Sequence, residues 1–116
     1  SQRLSRLVGR ARATEMLMLA ERLSASQAAE IGLVNRVGAD DGETLRIARE
    51  LAENLAQRAP IALAAVKKAI NEGLDGDLPA GLAVEREAVL RALQSEDAVE
   101  GVNAFLSKRD PKWEGR

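Results

Sequence analysis

The chain has 116 residues, with 17 basic against 18 acidic side chains, and is 46% hydrophobic but only 2% aromatic. It contains no Cys and no His, which excludes a disulfide framework, a thiol nucleophile, a Ser-His-Asp triad and the usual zinc or copper ligands. Its near-neutral charge gives no electrostatic case for nucleic acid as a partner, and no apolar run approaches membrane-spanning length.

The opening, "SQRLSRLVG", alternates basic side chains with Leu4, Leu7 and Val8 and stops at Gly9. It has neither an initiator Met nor a polar lead-in, and the expectation is that these residues continue a longer polypeptide. Residues 10–22 are good helix formers, with Ala13, Met16, Leu17 and Ala20 at helical spacing. In "RLSASQAAEIGLVNRV", Ser24 followed by Gln27 is a capping-box pattern, and Gly32 is placed to end a short helix in a left-handed turn. Such a cap is worth about 1 kcal/mol, enough to make a marginal helix credible. Beyond it, "LVNRV" has the branched, alternating character of a short strand, followed by the turn signal "GADDG".

From residue 43 only helices are predicted. "ETLRIARELAENLAQRA" places Leu45, Ala48, Leu51, Ala52 and Leu55 on one stripe. Pro60 suits the first turn of a helix running to Gly73, with Leu63, Val66, Ala69 and Ile70 inward. "LDGDL" is a turn. Pro79 stands near the start of the next helix, on which Leu82, Val89 and Leu93 face one way. Ser95 caps a last helix whose Glu96 and Asp97 favour the positive end of its dipole, and Pro111 ends it. Trp113, on the tail beyond, is expected to pack against a neighbouring helix or subunit, since its large apolar surface gains by burial. Residues 1–38 therefore mix helices with one strand, and residues 39–116 form a helical cluster. A lone strand cannot satisfy its own edge, so it calls for a sheet from elsewhere.

Four blocks, "SQRLSRLVG", "ERLSASQAAEIGLVNRV", "APIALAAVKKAINEG" and "SEDAVEGVNAFLSKRDPKWEGR", cover nearly the whole chain in order. Together they resemble the C-terminal half of the enoyl-CoA hydratase/isomerase (crotonase) superfamily. The resemblance implies a mainly α chain. Residues 1–38 would be the C-terminal end of a spiral core, helices plus one short strand, and residues 39–116 a helical trimerisation region. It also implies a homo-oligomer, a trimer or dimer of trimers, and a cytoplasmic setting, which the absence of Cys suits. Ser5 stands where many members of the family carry Pro.

The family polarises the thioester carbonyl of an acyl-CoA with two backbone amides, and its hydratases use two Glu residues to activate water and deliver a proton. Fixed donors of that kind stabilise the developing enolate. The resemblance places this machinery before residue 1, so no catalytic residue and no metal ligand is assigned. Glu15, Glu21, Glu30, Glu85 and Glu87 read as solvated surface carboxylates, and Lys67 and Lys68 as a solvated helix face. No cofactor is expected beyond coenzyme A as part of the substrate. The resemblance does carry over Phe105 and Lys108, in "AFLSKR", as contacts to the adenine and phosphate end of a neighbouring subunit's CoA. Spacing alone leaves a second reading open, with Phe105 in the core beside Val102 and Lys108 offsetting the helix dipole.

Two functions follow as expectations. One is the C-terminal part of an enzyme acting on acyl-CoA thioesters, hydrating 2-enoyl-CoA in the parent protein and inactive as the 116-residue chain alone. The other is a non-enzymatic helical oligomerisation module. RNA binding is disfavoured by charge and by the scarcity of aromatics.

Overall fold

The computed structural model describes residues 1–116 and contains seven helices: α1 (Gln2–Val8), α2 (Arg10–Leu19), α3 (Ala25–Glu30), α4 (Asp41–Ala56), α5 (Pro60–Gly73), α6 (Leu78–Leu93) and α7 (Glu96–Leu106). The chain divides into two compact units, Ser1–Leu51 and Ala52–Arg116.

In the first unit, the seven-residue α1, which the sequence pattern left unassigned, runs to Gly9 and is followed directly by α2. α2 ends at Leu19, short of the expected residue 22, because Ala20 turns left-handed at φ 52. The predicted box at α3 forms in full: Gln27 N–H donates to Ser24 Oγ (3.2 Å) and Ser24 N–H to Gln27 Oε1 (2.9 Å). Gly32, at φ +75, then ends the helix, with Gly32 N–H donating to the Ala29 carbonyl and Leu33 N–H to that of Ala28 (2.8 Å). These two bonds make a Schellman motif.

That motif corrects the one short strand expected at "LVNRV". Residues 33–37 form no strand. The amides of Leu33 and Val34 both donate to the Ala28 carbonyl, so they close the helix end instead of feeding a ladder. No second strand exists in the chain to take up the rest, and a single strand gains no pairing bonds. The expected "GADDG" turn is shorter too. Asp40 caps α4 through Glu43 N–H (2.8 Å), and Gly42 lies inside the first helical turn.

In the second unit, α5 and α6 form an antiparallel hairpin. Pro60 stands at the first position of α5, as expected, and Asp77 caps α6 by accepting from Ala80 N–H (2.9 Å). At the closed end the helices touch through glycines: a Cβ on Gly81 would stand 2.8 Å from the Gly73 carbonyl oxygen. Further along, Lys68 Nζ donates to Glu87 Oε1 (3.1 Å). α7 is capped by Ser95, whose Oγ accepts from Ala98 N–H (3.1 Å).

The predicted apolar stripes are helical but not covered. Only Ala13, Ala28, Ala88 and Ala104 among apolar residues are buried. Leu45, Val66, Ile70, Leu82, Val89, Leu93 and Val102 are all exposed. The accessible surface is 9,497 Å², whereas two separate globules of half this mass would together expose about 7,400 Å². Each unit has amphipathic helices whose apolar faces meet too little of the chain to form a closed core.

Candidate functional site

The last twenty-odd residues hold the densest set of side-chain interactions. Ser95 sets the start of α7, which places Asp97 and Glu100 one turn apart near its positive end. Asp97 is buried, and its two oxygens accept from Glu114 N–H (2.7 Å) and Gly115 N–H (3.0 Å). Its own amide donates to the Arg116 carbonyl (3.2 Å). Glu100 receives both terminal nitrogens of Arg109, at 2.6 and 2.8 Å, and also Lys112 N–H at 2.8 Å. The Arg109 guanidinium, then the Lys112 amide, hold the Glu100 carboxyl down at about 2, well below its ordinary 4.5. The same pairing raises Arg109 further.

Trp113 completes the attachment. Its Nε1–H donates to the Gln57 carbonyl (2.8 Å), and its ring lies against Gly101, where a Cβ would come within 3.2 Å of it. The expectation that Trp113 packs against a helix of the chain is met. Residues 107–116 are thus a strap folded back along α7. The sequence reading missed Asp97 and Glu100 as its anchors, though one signal was present: Gly101, inside a helix, marks a close approach.

The sequence-derived site residues sit where α7 passes into the strap. α7 stops at Leu106, earlier than Pro111 suggested, because Lys108 adopts a left-handed conformation at φ 50. Lys108 N–H donates to the Phe105 carbonyl (3.2 Å) and Arg109 N–H to that of Ala104 (3.1 Å), a second Schellman motif. Here the left-handed position is filled by Lys, at a cost a glycine would avoid. Lys108 therefore lies beyond the helix, and the turn, not helical spacing, sets its direction. Its ammonium has no ion pair, while Arg109 and Arg116, both further along the strap, are paired. Phe105 is 83% exposed and Val102 is exposed, so the ring fills no core in this chain. An open groove of about 440 Å³ runs from Ala62 and Ala92 to Val102 and Phe105.

The other carboxylates form no acid–base pair. Glu15, Glu21, Glu30 and Glu85 are exposed, and Glu87 pairs with Lys68. Glu43 lies below the usual carboxylate range because Ala39 N–H and then Arg46 bind it. No group of three or more Asp or Glu could hold a metal ion. No helix is long and apolar enough to cross a membrane.

Residues 1–116 match the family model described as "Enoyl-CoA hydratase/isomerase". The chain is 41% identical over 116 residues to the 2,3-dehydroadipyl-CoA hydratase of Escherichia coli, covering 100% of this chain and 45% of that protein. It is 42% identical over 118 aligned positions to the carnitinyl-CoA dehydratase of Salmonella heidelberg, covering 98% and 45%. The crystal structure of an enoyl-CoA hydratase from Bacillus anthracis superposes with a TM-score of 0.92 at 39% identity, over 99% of this chain and 44% of that one. The chain spans less than half the length of these relatives.

Proposed function

The chain belongs to the enoyl-CoA hydratase/isomerase family, and from that premise we propose that it is the C-terminal part of an enzyme acting on acyl-CoA thioesters. Hydration of a 2-enoyl-CoA is its reaction. In this reading the two amides that polarise the thioester carbonyl, and the Glu pair that activates water, come from a part of the enzyme outside this chain. The chain alone is inactive. Residues 1–38 close the spiral core, and residues 39–116 bring subunits together as a trimer or dimer of trimers.

The observation that carries the reading is the exposure of almost every predicted apolar stripe. Helices patterned so regularly for burial, on a chain covering 45% of a hydratase relative, are explained by surfaces that other parts of such an enzyme supply. The chemistry agrees: the chain has no His or Cys, and Glu43 and Glu100 are held ionised by amides and arginines instead of being poised to carry protons. Phe105 and Lys108 are then the chain's contribution to substrate binding, at the adenine and phosphate end of a neighbouring subunit's CoA. An open aromatic face, an unpaired ammonium and a left-handed Lys held at some cost support that role.

The same exposed faces favour a second reading, a non-enzymatic helical oligomerisation module. One experiment separates the two. Crotonyl-CoA hydration is followed for the chain alone and for the chain fused behind the unmatched part of the Escherichia coli relative. Turnover by the fusion and none by the chain supports the enzyme reading. Turnover by the chain alone removes the claim that its catalytic groups lie elsewhere. A folded, oligomeric but inactive fusion favours the module.

A further inference from the structure

Lys108 is the only non-glycine residue besides Ala20 with a left-handed backbone, and the bonds around it are asymmetric. On its N-terminal side is α7. On its C-terminal side the next residue, Arg109, is gripped by Glu100 through two parallel bonds of 2.6 and 2.8 Å, and its Nη1 also donates to the Asp110 carbonyl (3.2 Å). The carboxylate that holds Arg109 also accepts from Lys112 N–H, so one side chain fixes both ends of the segment 109–112. Asp97, one turn earlier, fixes 114 and 115 in the same way. A fork-to-carboxylate pair restricts direction as well as distance, which a Lys in place of Arg would not do. The restraint falls directly beside the one residue of the turn whose conformation needs restraint. The Lys108 ammonium makes no bond to the chain, and Phe105, whose carbonyl accepts from Lys108 N–H, presents an open ring.

We infer that Glu100 and Arg109 are positioning residues for the CoA edge, holding the turn after α7 so that the Lys108 ammonium and the Phe105 ring face the nucleotide before it arrives. The inference rests on the proposed role of Phe105 and Lys108. Neither Glu100 nor Arg109 touches the ligand: the guanidinium is neutralised by its carboxylate, and the free cation is the one between helix and pair. Preorganisation of this kind lowers the ordering cost of binding, so it changes affinity and not chemistry.

The test compares wild type with Glu100→Gln, Arg109→Lys and Lys108→Ala by amide NMR, first in the ligand-free chain and then, because the nucleotide belongs to a neighbouring subunit's site, in the fusion described above titrated with adenosine 3′,5′-bisphosphate. In the free state, both pair variants are expected to take Lys108 out of the left-handed region, read from its Cα shift and its HN–Hα coupling. Arg109→Lys is expected to do so with helix content and Trp113 emission retained, which separates loss of direction from loss of the strap. In the titration, the wild-type amides of residues 105–109 shift saturably. Each pair variant and Lys108→Ala weaken binding about tenfold or more, as for a lost bond to a charged group. The double variant Glu100→Gln/Lys108→Ala binds no more weakly than Lys108→Ala, because the pair acts through that residue. A left-handed Lys108 in both pair variants overturns the inference, as do pair variants that bind like wild type while Lys108→Ala is weakened. No saturable shift in the wild type, or an unaffected Lys108→Ala, overturns the CoA role instead; the free-state measurement then still decides whether the pair holds the turn.

Discussion

Residues Ser1–Leu51 are ordered almost entirely by bonds between near neighbours, whereas Ala52–Arg116 is tied by bonds reaching as far as the 56 positions between Gln57 and Trp113. In the first unit, Ser24 with Gln27, Gly32 with Ala29 and Asp40 with Glu43 each close a helix end within a few residues. Such bonds stop helices and turn the chain, but they bury little: apart from Ala13 and Ala28 the apolar side chains are not buried, and Leu7, Leu17, Met18 and Leu19 remain open. In the second, a buried carboxylate, a guanidinium fork and an indole hold the C-terminal strap to its helices. The difference separates two jobs. Local bonds define elements, and only bonds across the sequence fix one element on another.

The sharpest way to break this contrast is Asp97→Ala. It removes the acceptor of two strap amides from a site that is 2% exposed, and it should cost the second unit about 3 kcal/mol. Trp113 is the sole tryptophan, so its emission in a urea titration reads strap release without interference. Amide exchange in α1–α3 should not change. Next is Gly81→Ala, which drives a methyl into the Gly73 carbonyl 2.8 Å away. Despite a helix-propensity gain of up to about 1 kcal/mol, a net loss of about 1–2 kcal/mol is expected. Faster exchange confined to α5 and α6 would register it. Smaller still, Ser24→Ala should cost about 1 kcal/mol and fall on the first unit alone, seen as fraying of α3 with Trp113 emission unmoved.

Acid sharpens the comparison with the least effect at neutral pH. Glu100 sits at about 2 in the folded chain against an ordinary 4.5. A depressed carboxylate contributes stability that is present above the ordinary value and lost as pH falls through the folded one. Between about 4.5 and 2 the strap should therefore loosen, and Trp113 emission should shift to the red. Glu100→Gln should remove this part of the pH dependence.

Much of the fold was legible because it is local. The box at Ser24, the stop at Gly32, Pro60 at the head of α5 and the cap at Ser95 each depend on residues within four positions of one another. The strand at "LVNRV" was misread because branching and alternation report compatibility with a sheet, not the presence of a partner. Asp97 and Glu96 are indistinguishable as sequence, both acids in a first helical turn; one is buried and one exposed only because the strap returns over α7. Phe105 and Lys108 were singled out as candidates through resemblance, and their spacing suggested one helix face. The left-handed turn that separates them was not visible, since Lys at such a position carries no signal.

What the sequence determined by itself was every helix but α1, most of their caps, the family, and the exclusion of thiol, imidazole and common transition-metal chemistry. Those follow from residue types and from contacts a few positions apart, where physics is short-ranged. The tertiary structure alone decided which carboxylates anchor the strap, where α7 ends, and that Lys108 stands unpaired beside a fixed Arg109. Those depend on which distant segments meet, and such meetings follow from the packing of the whole unit, not from any one stretch of it.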